Sequence, residues 1–228
     1  MTEPRWSQRA HALRSAATSA APVSTPAGPY AAPCAPWSHH AAELAVPLAD
    51  GLERWEENPT TWGMVQDRLM VRLLPGIFVP PDLLGSAVQR ALALGCAVGE
   101  RLQSHHVVAG PSAAWVFLGG DPPERAELLS PAHRGSIPGA TVRTARLHPR
   151  EVETIGGAPV TSPLRTAADL LRFAPDHVAR PSLRRLVEGG YVSVSSIRWH
   201  LAGLDRYPGV GAARARIDEL LHEAPRAA

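Results

Sequence analysis

The stretch GAPVTSPLRTAADLLRF, residues 157–173, contains the clearest structural signals in this chain. Gly156 and Gly157 turn the backbone, and Ser162 followed by Pro163 is typical of a helix start, since a hydroxyl caps the first turn and proline fits its first position. One face of the predicted helix carries Leu164, Ala167, Ala168 and Leu171, and the other carries Arg165, Asp169 and Arg172. The stretch therefore predicts an amphipathic helix whose Ala/Leu face packs on a sheet.

The charged face of this helix has the spacing of ion pairs. Asp169 lies four residues after Arg165 and three before Arg172, so its carboxylate is within reach of both guanidinium groups. We expect structural roles for Ser162, Pro163, Arg165 and Asp169, and we expect Arg172 on the outer, exposed face.

Residues before this helix predict a mixture of strands and helices. Leu74-Pro75-Gly76-Ile77 suits a type II turn, which makes 68–79 a hairpin. Further helices are predicted over about 82–94 and over 111–118, and strands over 126–130 and 141–148.

Residues after it predict three more helices: one near 178–187 that ends at Gly189-Gly190, one that starts at Ser193, and one over about 210–222. The fold class is therefore α+β, with a small mixed sheet packed with helices, a helical C-terminal part and a disordered N-terminal tail.

The N-terminal tail is identified by its composition. Residues 1–42 contain 12 Ala, 6 Pro, 5 Ser and 3 Thr, which leaves too little apolar surface to offset the entropy of ordering. The alternative is a docking arm that uses Trp6 and Trp37. From Ala41 onward the amino-acid composition changes, and residues 41–57 are compatible with a helix that contains Pro47.

Composition excludes several function classes. All 23 basic residues among the 228 are arginine, which rules out Schiff-base or phosphate-loop lysine chemistry. The two cysteines cannot build a disulfide framework or a four-thiolate zinc site. No apolar run approaches the roughly 18 residues of a membrane span, and no secretory signal is recognisable at the N-terminus. We therefore expect a cytoplasmic protein with no membrane association.

No catalytic, cofactor-binding or metal-binding residues stand out. The pairs His39-His40 and His105-His106 are adjacent, and neighbouring side chains point apart in helices and strands. The chain has no Gly-x-Ser-x-Gly elbow, and Cys96 is interpreted as a small buried residue. We expect a non-enzymatic protein without cofactors, and a cryptic hydrolase is the remaining enzymatic alternative.

Positive charge is concentrated in the C-terminal part. Residues 142–228 carry 13 Arg and 9 acidic residues, a net charge of +4. Arginines suit phosphate contacts, and the candidates for nucleic-acid binding are Arg143, Arg146, Arg184, Arg185 and Arg198. The alternative is a solvated arginine face in a chain that contains no lysine.

Four segments together resemble the AbiEi-like antitoxin family of type IV toxin–antitoxin systems. Residues 157–173 are similar to its Thr-Ser-Pro-x-Arg-Thr-Ala-x-Asp-Leu signature. Arg72 to Val79 resembles its Pro-Gly hairpin, Gly110 to Trp115 its Ser-Ala-Ala-Trp helix, and Val192-Ser193 the start of its later helix. The resemblance covers roughly 68–222.

The resemblance implies a bacterial two-part protein. In that family a winged helix-turn-helix binds the promoter, and a C-terminal α+β domain counteracts a nucleotidyltransferase-like toxin. This chain departs from that pattern before the hairpin, because residues 41–67 carry six acidic residues and one arginine, a net charge of −5 that repels phosphates. We therefore divide the chain into a tail (1–42), a degenerate winged-helix remnant with the hairpin (43–80) and an AbiEi-like α+β antitoxin domain (81–228).

The expected function is that of an antitoxin-like regulatory protein whose partner is a cognate nucleotidyltransferase-like toxin, with DNA binding weak. The alternative is a DNA-binding transcriptional regulator that acts through a helix-turn-helix at about 178–206, with Arg198 and His200 on its second helix.

Overall fold

The computed structural model describes residues 32–132, 136–204 and 207–222. Most of the predicted tail, residues 1–31, lies outside the described residues. Within its last part Cys34 is only 3% exposed, and Ser38 caps a helix that begins at His39. The folded part of the chain therefore extends further toward the N-terminus than the boundary predicted at residue 42.

The first elements form a small antiparallel sheet next to two helices. They are α1 (His39–Gly51), β1 (Glu53–Arg54), α2 (Pro59–Gln66), β2 (Val71–Leu74) and β3 (Ile77–Val79), with the strand order β1-β3-β2. The predicted hairpin is confirmed, because β2 and β3 pair antiparallel and Gly76 has the positive φ (69°) that the third position of a type II turn requires.

Two helix boundaries differ from those predicted. α1 ends at Gly51 and not near 57, because Leu52 is extended and leads directly into β1. The helix predicted to begin at about 82 begins at Ala87. Ser86 and Gln89 form a capping box there, and Pro81–Leu84 makes only a short 3-10 turn before it.

A five-stranded mixed sheet forms the centre of the molecule. The elements in chain order are α3 (Ala87–Val98), β4 (Val107–Val108), α4 (Gly110–Leu118), β5 (Ala126–Ser130), β6 (Ala140–Thr144), β7 (Val152–Ile155) and β8 (Ala158–Thr161). The strand order is β6-β5-β4-β8-β7, with β4/β8 and β5/β6 parallel and the other neighbours antiparallel.

The strands at 126–130 and after 140 are confirmed, although β6 ends at Thr144 and not at 148. Its partner β5 ends at Ser130, which pairs with Thr144, so the ladder has no partner beyond that point. The two-residue β4 and the β7/β8 hairpin around Gly156-Gly157 were not predicted as strands, because both are too short to show an alternating pattern.

Four helices complete the described fold: α5 (Pro163–Phe173), α6 (Asp176–Glu188), α7 (Val194–Ala202) and α8 (Val210–His222). The predicted α+β class with a helical C-terminal part is confirmed. Among the described residues, no helix is both long enough and apolar enough to cross a membrane.

Helix α4 lies at the centre of the core. Its residues from Ser112 to Phe117 are buried, and it contacts α3, α5 and α6 as well as β5 and β8. Helix α5 packs mainly against α4 and less against strand β8 of the sheet, which corrects the predicted packing. Buried residues from both sides of residue 80, such as Leu74 and Leu92, belong to one core.

Candidate functional site

The start of α5 has the structure that its sequence predicts. The Ser162 hydroxyl accepts a hydrogen bond from the Arg165 amide at 3.4 Å, and Pro163 occupies the first helical turn. The hydroxyls of Thr161 and Thr166 share a buried hydrogen bond of 2.7 Å, which joins the end of β8 to the helix. Ser162 and Pro163 therefore form the start of the helix.

Around this helix lies a group of ionised side chains, here called the charged cluster. It comprises three arginines and three carboxylates: Glu127 on β5, Arg143 on β6, Glu151 in the 3-10 turn before β7, and Arg165, Asp169 and Arg172 on α5. Arginine forks suit such paired, partly buried carboxylates. The cluster links the edge strand β6, its neighbour β5 and the turn before β7 to helix α5.

Asp169 is the centre of the charged cluster. Its side chain is 0% exposed, and Arg165 Nε donates to its Oδ2 at 3.1 Å while Arg172 Nη1 lies 3.4 Å from its Oδ1. Arg143 Nη2 lies 3.9 Å from the same carboxylate. The two intrahelical pairs predicted from the spacing are confirmed, and the third arginine comes from the sheet.

The prediction that Arg172 lies on an outer, exposed face of α5 is wrong, because other parts of the chain cover that face. The Arg172 side chain is only 5% exposed, its Nε donates to the Pro208 carbonyl at 2.9 Å, and its guanidinium lies 4.4 Å from the Phe173 ring centroid. Helices α7 and α8 both contact α5. This packing could not be read from the period of the helix alone.

Glu127 anchors the sheet side of the cluster. Arg143 donates to its Oε1 from Nε at 2.7 Å and also from Nη2. The Glu127 carboxylate lies directly over Gly110, where an added Cβ would come within 2.7 Å of it. Burial raises the pKa of Glu127, and the charge of Arg143 opposes that rise.

Glu151 holds the turn before β7 against the helix. Arg165 Nη1 lies 2.8 Å from its Oε1, and the His148 amide donates to its Oε2 at 2.8 Å. Burial raises the pKa of Glu151, but these two hydrogen bonds, together with the charges of Arg165 and His200, outweigh burial and hold the pKa below its ordinary value. Burial also lowers the pKa of Arg165, and the charges of Asp169 and Glu151 reverse that effect.

His200 on α7 lies near the charged cluster. Its Nε2 is buried and finds no hydrogen-bond partner among the described residues. Burial lowers its pKa below 6.5, the nearby Glu151 opposes this, and the nearby Arg165 reinforces it. A shallow depression of about 360 Å³ beside it is lined by Trp199, His200, Ala202, Gly203 and Leu204.

In the charged cluster, carboxylates are paired with arginines. Each of its carboxylates, Glu127, Glu151 and Asp169, accepts a hydrogen bond from an arginine. These pairs fix the relative positions of a strand pair, a turn and a helix.

The five arginines predicted to contact nucleic acid have different surroundings. Arg143 pairs with Glu127 in the charged cluster, and Arg185 donates to the carbonyls of Leu118 and Gly119 at the end of α4. Arg146 and Arg198 are exposed, and Arg184 is half-buried. Arg143 and Arg185 are therefore engaged in holding the fold.

The helix-turn-helix of the alternative hypothesis, at about 178–206, corresponds to helices α6 and α7. α6 and α7 are separated by residues 189–193, with Gly190 at φ 72°. Arg198 is exposed on α7, whereas His200 lies beside the charged cluster. The two α7 residues proposed to read DNA therefore have different surroundings.

Sequence reasoning missed three members of this site: Glu127, Glu151 and His200. The α5 partners were found because their spacing is local, but the other three are distant in sequence and no periodicity connects them to α5. No protein-family model matches this chain, and no curated protein matches it either.

Proposed function

We propose that this protein is a non-enzymatic, antitoxin-like regulatory protein of the AbiEi-like type, which counteracts a nucleotidyltransferase-like toxin. The observation that carries the proposal is the signature segment 157–173, which forms the β7/β8 turn, strand β8 and the Ser162-capped helix α5 as one unit. Its two characteristic charged residues, Arg165 and Asp169, pair with each other at 3.1 Å.

The non-enzymatic part of the proposal is supported by the surroundings of those residues. Asp169 is 1% exposed, and Arg165 is 7% exposed. A buried pair of this kind, extended by Glu151 and Arg143, contributes to a defined packing of helix on sheet and has no contact with bulk water through Asp169. Arg165 and Asp169 therefore stabilise the fold. The partner protein contacts the surface of that fold.

We further propose that the protein is cytoplasmic, needs no cofactor, and has the toxin as its functional partner.

Residues 43–80 are proposed to be a winged-helix remnant that has lost DNA binding. The hairpin remains, but Glu57 pairs with Arg72 at 2.8 Å and accepts from the Gly76 amide. Arg72, the basic residue of the hairpin, is therefore already paired with the Glu57 carboxylate.

A DNA-binding regulator remains the second candidate, and the α6/α7 pair is the observation that favours it. The turn between these helices contains Gly189 and Gly190, and Arg198 is exposed on the second helix. Against it, Arg185 on the first helix donates to two main-chain carbonyls of the α4 end.

Co-expression with a nucleotidyltransferase-like toxin encoded next to this chain tests the proposed function. We expect growth to be restored by the wild type and also by the double variant Arg146→Glu with Arg198→Glu, because both positions are exposed and phosphate contact is not the basis of the protection. Circular dichroism checks that the variant is folded. Toxicity that a folded wild-type protein leaves unchanged would contradict the proposal.

A further inference from the structure

The two cysteines of the chain lie side by side although 62 residues separate them. Cys34 is in the turn before α1, and Cys96 is in α3. Their sulfur atoms are 3.9 Å apart, and the two residues are 3% and 8% exposed. Both are free thiols.

The two thiols lie where the segment 32–37 contacts α3. Cys34 Sγ donates to the Leu92 carbonyl at 3.5 Å, and Cys96 Sγ donates to the Ala45 carbonyl at 3.8 Å. Next to them the Trp37 indole donates to the His106 carbonyl at 2.8 Å. The segment 32–37 therefore contacts α3 through the Cys34 thiol and through the Trp37 ring, which lies over Gly95.

We propose that Cys34 and Cys96 are a modification site at which a hydroperoxide oxidant forms an intramolecular disulfide that locks the segment 32–37 to α3. A disulfide has an S–S distance of about 2.05 Å, so each sulfur has to move by roughly 1 Å from its present position. Rotation about the two Cα–Cβ bonds moves the sulfur atoms over distances of this order.

The oxidant reaches the thiols when the segment opens. Cys34 has φ 59°, in the left-handed region that non-glycine residues seldom occupy, and it lies in a turn outside the helices. In the closed state the hydrogen bond with Cys96, together with burial, raises the pKa of Cys34, so this thiol is not a nucleophile until the segment opens.

The chemistry balances in two steps. One cysteine thiol loses its proton, and the thiolate attacks the peroxide oxygen; the O–O bond breaks, a sulfenic acid forms, and the hydroxide (or alkoxide) that leaves takes up the proton to become water (or an alcohol). The second thiolate then attacks the sulfenic sulfur, the S–O bond breaks, and hydroxide leaves and takes a proton to become water. In total two thiols lose two electrons and two protons, and one peroxide is reduced.

Treatment of the reduced full-length chain with hydrogen peroxide, followed by unfolding and alkylation with a maleimide, tests this. We expect a mass lower by two hydrogens, no alkylated thiol and no covalent dimer on a non-reducing gel. Trypsin cleaves after arginine, so the peptides 15–54 and 91–101 should be recovered as one disulfide-linked species. Dithiothreitol should restore two alkylatable thiols and lower the melting temperature to that of the reduced protein.

The single variants Cys34→Ser and Cys96→Ser are the matched controls, and neither should lose two hydrogens within one chain. Three results for the wild type would overturn the proposal: two thiols that still react after oxidation, a mass increased by oxygen atoms at one cysteine, or a disulfide found only between chains. Each is read from the wild-type mass and gel, so the result does not depend on whether the variants fold.

Discussion

At the scale of single residues, Asp169 has the largest expected effect on stability. Its buried carboxylate faces three arginines, and removal of one partner of a buried ionic group typically costs about 3–5 kcal/mol. We therefore expect Asp169→Ala to lower the free energy of unfolding by about that amount in urea titrations. Arg150→Ala, at an exposed position in the adjacent turn, is the control and should change it by less than about 0.5 kcal/mol.

Arg172 tests the covered face of α5. A side chain on an exposed face would lose less than about 0.5 kcal/mol on truncation, but this one bonds to Asp169 and to the Pro208 carbonyl. Hydrogen bonds to charged groups contribute about 1.5–3 kcal/mol, and we expect Arg172→Ala to cost an amount in that range in the same urea titrations. An effect as small as that of Arg150→Ala would mean that α7 and α8 do not cover this face.

His200 makes stability depend on pH. Its folded pKa is lowered below 6.5 by burial, so between the folded pKa and 6.5 the unfolded chain binds more protons and stability falls as the pH falls. We expect thermal melting of His200→Gln to fall less steeply than that of the wild type on acidification below pH 6.5. The Arg150→Ala variant, changed at an exposed position, is the control and should keep the wild-type slope.

At the scale of elements, α5 depends more on its apolar face than on its cap. Leu171 is 0% exposed, and truncation of such a leucine to alanine costs about 2–5 kcal/mol. The Ser162 cap bond is long at 3.4 Å, and loss of a cap costs about 1 kcal/mol. Chemical denaturation of Leu171→Ala and Ser162→Ala should show this order, and the reverse order would mean that the helix is rotated.

Helix α3 depends on a glycine where the segment 32–37 crosses it. A Cβ at Gly95 would lie 2.5 Å from the Trp37 ring and 2.6 Å from Cys34 Sγ, and overpacking of this kind costs about 1–3 kcal/mol. Gly63 in α2 has open space around it, so Gly63→Ala should be neutral or stabilise by up to about 1 kcal/mol. In differential scanning calorimetry, Gly95→Ala should lower the melting temperature, whereas Gly63→Ala should leave it unchanged or raise it. Equal shifts of the melting temperature would contradict the packing of Trp37.

At the scale of the whole molecule, the charge distribution predicts weak binding to DNA. Specific complexes have dissociation constants of about 10⁻⁸ to 10⁻¹¹ M at physiological salt, whereas a net charge of +4 spread over residues 142–228 predicts only sequence-indifferent binding of micromolar order or weaker. A salt titration against the upstream region of the gene and against random DNA measures this. Nanomolar, selective binding that Arg198→Glu abolishes would establish the α6/α7 pair as the recognition element and contradict the antitoxin-like proposal.

The sequence alone determined those features that depend on neighbours within about four residues. The Pro75-Gly76 turn, the Ser162 cap and the Arg165–Asp169 pair all follow from local spacing, because turns, caps and i,i+4 contacts form within one segment. The same holds for the buried α4, since nearly every residue in it is apolar or small. The α+β class followed from these elements taken together.

The tertiary structure decided everything that joins distant segments. Glu127 and Glu151 complete the charged cluster from β5 and from the turn before β7, α7 and α8 bury the side of α5 that its polarity marked as exposed, and Cys34 meets Cys96 across 62 residues. No local pattern encodes such contacts, because they arise only when the sheet and the helices pack. The physical reason is that local spacing sets which groups share a face, whereas the packing of other elements sets whether that face meets water.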